Sequence, residues 1–229
     1  MDVKAEFVEH YQTLYKQLTS EDLWYTEFVR YLPIELDVQG REALVVGASA
    51  EVVAKVERLL AAGARVVVVA PGEVDPVIEA MAADGRLALA RREPLAGDVD
   101  GKAIVFVATT EEGRAAAFHA RGLAEGRLVC TLDRPELSTF VNPAVARAAG
   151  LSMTFATGGT SPGAVRRIRE DLEALFGDPR FARFLEGLAG LRARLPRGER
   201  AVRMAEAVKG FAVEARLRFP AWVERGEEP

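Results

Sequence analysis

The chain has 229 residues, 49% of them hydrophobic, and a formal net charge of −4. That is apolar material for one large or two small packed domains, and the acidic balance argues against a general nucleic-acid binder. A single cysteine, Cys130, and two distant histidines, His10 and His119, offer neither a disulfide framework nor a zinc centre. No run of about 18 apolar residues is present, and the segment Met1-Asp2-Val3-Lys4-Ala5-Glu6 lacks the apolar core of a signal peptide, so a cytoplasmic protein is expected.

The elements begin with a helical preface. Phe7, Tyr11, Leu14, Tyr15 and Leu18 recur at helical spacing, and Ser20 is placed to cap a second helix carrying Leu23, Trp24, Phe28 and Tyr31. Residues 1–30 are therefore read as an N-terminal helical extension. The pattern then changes to short apolar strands alternating with helices. Strands are expected at 43–46, 65–70, 87–90, 103–107 and 128–132, with helices at about 50–62, 74–83 and 111–124 between them. Wholly apolar strands separated by helices read as a parallel sheet covered on both faces, an α/β layout of the Rossmann-like dinucleotide-binding type, over residues 31–133.

Beyond Asp133 the texture differs. Pro135 and Pro143 flank Thr139-Phe140-Val141, a strand is expected at 151–156, and only helical patterns follow, at about 178–194 and 198–217. Between that strand and the first of these helices lies Gly158-Gly159-Thr160-Ser161-Pro162, followed by Arg166, Arg167 and Arg169. A glycine turn leading into a helix N-terminus with arginines on its first turns is one way to build an anion site. It is equally a plain strand-to-helix turn with proline at the first helical position.

Two further places carry chemistry. The first strand-to-helix turn is Gly47-Ala48-Ser49-Ala50-Glu51-Val52, where a dinucleotide fingerprint asks for G-x-G-x-x-G/A. Only Gly47 fits strictly; Ser49 stands at the second glycine and Val52 at the third. The acid that would hold a ribose hydroxyl at the end of the second strand is absent, because that strand runs into Ala70-Pro71 and the nearest acid is Glu73. Asp133 ends the fifth strand, where ligands of open α/β sheets bind, and a carboxylate there serves as a general base or as a turn residue before Pro135.

These residues, taken with Tyr31-Leu32-Pro33-Ile34, Ala108-Thr109, Asp133-Arg134-Pro135-Glu136, Phe140 and Pro143, resemble the precorrin-2 dehydrogenase / sirohydrochlorin ferrochelatase family, the N-terminal module of siroheme synthase. The resemblance covers residues 31–176. It implies NAD-dependent oxidation of precorrin-2 to sirohydrochlorin, followed in many members by insertion of Fe²⁺. It also implies a homodimer built from the dinucleotide-binding domain, a dimerisation region at 134–176 and a small C-terminal helical domain at 177–229. Carried onto this chain, it makes Asp133 the acid–base residue. Gly47, Ala48, Ser49, Ala50, Pro71 and Thr109 become the cofactor contacts. Gly158, Gly159, Thr160, Ser161, Arg166 and Arg169 become contacts to a tetrapyrrole polycarboxylate. The chain departs from the family pattern at Ser49, Thr110, Ala115 and Cys130, all expected near the nucleotide. The alternatives are an NAD-independent tetrapyrrole metal chelatase and a non-catalytic dimer that binds a tetrapyrrole or nucleotide.

Overall fold

The computed structural model describes residues 31–157 and 161–226. The expected N-terminal helices and the turn residues Gly158, Gly159 and Thr160 lie outside the described residues. The chain divides into two compact units, Met1–Pro143 and Ala144–Pro229.

The first unit is an open parallel sheet in the order β3-β2-β1-β4-β5. Its strands are β1 (Glu42–Val46), β2 (Arg65–Val69), β3 (Ala88–Ala90), β4 (Ile104–Val107) and β5 (Leu128–Thr131). Every neighbouring pair is parallel, with Val46 in register with Val69 on one side and with Val107 on the other. The helices are α1 (Ala50–Ala61), α2 (Pro76–Ala83) and α3 (Glu112–Ala124), with a 3₁₀ turn at Ala96–Val99 before β4.

Alternation along the strands sorts the core into two layers, because successive side chains point to opposite faces. Val45, Val66, Val68 and Phe106 face Val52, Val56 and Leu59 of α1 and Ile78 of α2. Leu44, Val46, Val69, Val105, Val107 and Val129 face Phe118 of α3 and Val99 of the 3₁₀ turn. The helical residues recur at 52, 56 and 59, one stripe of α1. Asp75 caps α2, accepting a 2.9 Å bond from the Val77 N–H, and Pro76 opens that helix. The sheet is thus wound in both directions from β1, and the switch point lies between β1 and β4.

The second unit opens with a hairpin that the periodicity does not predict. β6 (Ala144–Ala148) pairs antiparallel with β7 (Leu151–Phe155) through a two-residue turn, Ala149 at φ 50° and Gly150 at φ 84°. Positive φ at both positions matches the twist of paired strands. Ala149 disguises the turn, since alanine rarely takes this conformation. Helix α4 (Pro162–Phe176) packs on β6. It is followed by α5 (Pro179–Arg194), α6 (Arg200–Ala207) and the short α7 (Ala221–Glu224).

The helix expected over 198–217 is shorter than its pattern. It ends at Ala207, Gly210 adopts φ 86°, and the chain turns there. The reason is aromatic packing. Phe211 stacks on Phe184 of α5 at 4.7 Å between centroids and on Phe181 at 6.0 Å, and Phe181 also meets Phe176 at 5.0 Å. A continued helix would forfeit that cluster. Among the described residues, no helix is long and apolar enough to cross a membrane.

Candidate functional site at the switch point of the sheet

The carboxyl ends of β1, β4 and β5 open onto a cleft of about 510 Å³. Gly47 and Ser49 line it from the β1 turn, Pro71 from the end of β2, Ala108, Thr109 and Thr110 from the end of β4, and Leu132, Asp133 and Arg134 from the end of β5. Glu51, Pro94 and Arg114 complete the wall. All of it belongs to the first unit.

The turn after β1 is held close to the turn after β4. Gly47 has φ +94°, and a Cβ there would stand 2.6 Å from the Ala108 carbonyl oxygen. Backbone bonds from Gly47 N–H to Val69 O (2.9 Å) and from Ala108 N–H to Val46 O (2.8 Å) continue the sheet to this point. Ser49 is the N-cap of α1 by backbone geometry, at φ −76° and ψ 165°, but its hydroxyl makes no capping bond. It is exposed at the cleft beside the first N–H groups of the helix. The turn therefore meets the demands of a bound dinucleotide in one respect and alters them in another. The glycine that needs positive φ is present, and the second glycine is replaced by a residue whose ordinary φ carries no strain and whose hydroxyl is free to donate.

The neighbouring turn residues do other work. Ala48 is buried in the α1 layer, and its carbonyl accepts a 2.8 Å bond from Asp75 N–H, tying the first turn to the loop after β2. Ala50 is exposed as the first residue of α1 and does not line the cleft. No acid at the end of β2 lines the cleft: Pro71 does, and Glu73 does not.

The β5 side is cross-linked by side-chain hydrogen bonds. Asp133 adopts φ 57°, a left-handed conformation that aspartate tolerates better than most residues. Its carboxylate is exposed and has no hydrogen bond or ion pair with any described residue. The loop around it is clamped by a buried hydroxyl pair. The Ser138 hydroxyl accepts from Thr131 N–H (2.9 Å) and donates to the Arg134 carbonyl (2.8 Å), while the Thr131 hydroxyl donates to the Leu137 carbonyl (2.9 Å). Thr139 then bonds Val129 through both its N–H and its hydroxyl. Asp133 is held at the crest of this turn and projects beyond the sheet.

The four departures from the family pattern separate here. Ser49 and Thr110 line the cleft, whereas Ala115 and Cys130 are buried in the core. Burial pushes the Cys130 thiol up, partly offset by its hydrogen bond with Ser138, so this cysteine is a packing residue. Pro94 and Arg114 escape a sequence reading, because the strand-to-helix turns do not indicate that loop 91–95 reaches the cleft. Arg114 gets there from the first turns of α3 and is already engaged, at 2.8 Å from Glu93 and 3.1 Å from Glu111.

The candidates beyond the hairpin lie in the second unit. Ser161 caps α4: its hydroxyl accepts from Ala164 N–H (3.2 Å), and its own N–H donates to Thr157 Oγ1 (3.1 Å). Arg166 is paired with Glu170 at 2.9 Å and Arg169 with Glu173 at 3.3 Å, each one turn along the same helix. Arg166 is well exposed and the Arg169–Glu173 pair is half-buried, both on one helix face where an anionic ligand can compete for them.

Residues 34–144 match a family model described as putative NAD(P)-binding. A siroheme synthase of Pseudomonas entomophila is 37% identical over 169 residues, covering 72% of this chain and 34% of that protein. A siroheme synthase of Pseudoalteromonas atlantica is 32% identical over 147 residues, covering 64% and 32%. The chain thus spans about a third of the length of the curated relatives it matches. Among solved structures, a SirC precorrin-2 dehydrogenase shares the fold at a TM-score of 0.67, with 24% identity over 79% of this chain and 90% of that one. The chain is thus similar to siroheme synthases over about a third of their length, and its sheet shares the fold of a precorrin-2 dehydrogenase.

Proposed function

We propose that this protein oxidises precorrin-2 to sirohydrochlorin with NAD⁺, as a step of siroheme biosynthesis. The observation that carries the reading is the convergence of the Gly47–Ser49 turn and the Asp133 carboxylate on one cleft at the switch point of the sheet. Its relatives are siroheme synthases, which supports the substrate class.

When bound, NAD⁺ supplies the acceptor for the two electrons and one hydrogen removed from the macrocycle. Gly47 allows the backbone to approach its phosphates, and Ser49 with the N-terminus of α1 supplies donors to them. Thr109 and Pro71 bound the space beyond β4 and β2. Asp133, exposed and unpaired, takes the proton released as the ring system is desaturated. Atoms balance as precorrin-2 and NAD⁺ giving sirohydrochlorin, NADH and a proton. The clamp from Ser138 fixes the acid without neutralising it, because its bonds go to backbone groups rather than to the carboxylate.

We further assign the second unit to dimer formation and tetrapyrrole contact, through Gly158, Gly159, Thr160, Ser161, Arg166 and Arg169. The basis is the family resemblance, and the arginines' partners are half-exposed glutamates of the same helix, which competing carboxylates can displace.

The test is NADH formation from enzymatically generated precorrin-2, together with calorimetric titration of NAD⁺. Turnover that needs NAD⁺ and is lost in Asp133→Asn supports the reading. No NAD⁺ binding at millimolar cofactor overturns it and leaves the chelatase and carrier alternatives, which a sirohydrochlorin and Fe²⁺ assay separates.

A further inference from the structure

We propose that Arg134 is a substrate anchor of the switch-point cleft, where its guanidinium binds a carboxylate of the macrocycle beside Asp133. This rests on the tetrapyrrole reading above. The cleft wall carries two cations, and they are in different states. Arg114 is held by Glu93 and Glu111. Arg134 is half-buried in the wall and has no acid within ion-pair distance among the described residues. Its guanidinium makes one long contact, 3.5 Å from Nη2 to the Thr110 carbonyl. A guanidinium with unused donors, facing a cleft, is a site for a planar anion.

Its placement selects the anion. The dinucleotide phosphates belong at the β1 turn, and β5 is two strands away, about 10 Å at ordinary strand spacing. The end of β5 is therefore the substrate side of the cleft. The backbone of Arg134 is also fixed: its N–H donates to Thr131 O (3.2 Å), and its carbonyl accepts from Leu137 N–H (3.1 Å) and from the Ser138 hydroxyl (2.8 Å). The side chain is thus projected from a rigid turn one residue after the acid, which positions a bound carboxylate relative to Asp133.

Arg134→Gln is the informative variant, since the bonds that build the turn come from backbone and from Ser138. The expected result is a KM for precorrin-2 raised about tenfold, with kcat within about twofold and the NAD⁺ Kd and melting temperature unchanged, as for loss of one charge-assisted pair. Arg134→Lys is expected to fall between the two, keeping the charge and losing the fork. Titration of sirohydrochlorin, followed by its visible absorption, should show the same weakening without turnover. If wild-type protein oxidises precorrin-2 and Arg134→Gln shares its KM, the anchor role alone is overturned. A raised NAD⁺ Kd with unchanged tetrapyrrole KM also overturns it, by moving Arg134 to the cofactor side. Wild-type protein that neither oxidises precorrin-2 nor binds sirohydrochlorin overturns the anchor together with the function it rests on.

Discussion

Gly47 and Ala108 meet across the switch point so closely that a Cβ on Gly47 would lie 2.6 Å from the Ala108 carbonyl oxygen and 3.2 Å from its Cβ. That contact joins the turns after β1 and β4 and sets the inner edge of the cleft. Gly47→Ala combines a side chain at φ +94° with an overpacked contact. Destabilisation by about 2–4 kcal/mol is expected, read as a lower urea midpoint with an unchanged slope, together with weakened NAD⁺ binding. A midpoint equal to that of the parent protein would show that the two turns separate freely.

Ser49 should behave in the opposite way. Its hydroxyl caps nothing in the structure, so Ser49→Ala is expected to leave the melting temperature unchanged. If the hydroxyl donates to a cofactor phosphate, the NAD⁺ Kd rises about tenfold, the size of one charge-assisted bond. A fall in melting temperature with unchanged Kd would return Ser49 to a purely structural role.

At Asp133 chemistry and stability can be separated, because its φ of 57° suits glycine. Asp133→Gly should keep stability within about 1 kcal/mol of the parent while turnover falls by about 10²–10⁴-fold, the contribution of a positioned acid–base group. Urea melts and NADH formation measured on the same preparation check both halves. Retained turnover would remove Asp133 from the mechanism.

Ser138 supports that turn from beneath. Ser138→Ala strips the partner from the buried Thr131 N–H and is expected to cost about 1–3 kcal/mol. The same change loosens the turn bearing Asp133, so kcat should fall more than KM rises. Equal urea midpoints for variant and parent would show that water replaces the hydroxyl.

In the second unit, Asp178 caps α5 and pairs with Arg180, whose guanidinium draws its carboxyl down to about 2. A depressed folded pKa means that the stabilisation is present above the ordinary value of 3.8 and is lost as pH falls through about 2. Fraying of α5 on acidification from pH 4 to pH 2 should thus appear in far-UV circular dichroism and be weaker in Asp178→Asn. The arginine stays charged throughout, so no alkaline counterpart is expected below pH 10 or so.

Element type was legible wherever one period dominated. The tetravaline of β2, the 52-56-59 stripe of α1 and the apolar run of β4 each specify their element locally. The hairpin of β6 and β7 was half hidden, because Ala144–Ala148 alternates weakly and its turn uses alanine where asparagine or aspartate would signal it. The end of α6 was hidden for another reason: its helical pattern runs on past Ala207, and stacking of Phe211 on Phe184 overrides it.

The candidate site divides in the same way. By itself the sequence determined that the chain is an α/β protein with a glycine turn after its first strand and an acid after its fifth, since local periodicity and strand ends suffice for that. Only the tertiary structure decided that these two turns, 86 positions apart, border one cleft. Strand order is the cause: β1 and β5 are separated by β4 alone. It also decided that Ala115 and Cys130 belong to the core while Arg134 faces the cleft with no acid paired to it among the described residues, because burial and pairing depend on which residues the sheet brings together and not on their spacing along the chain.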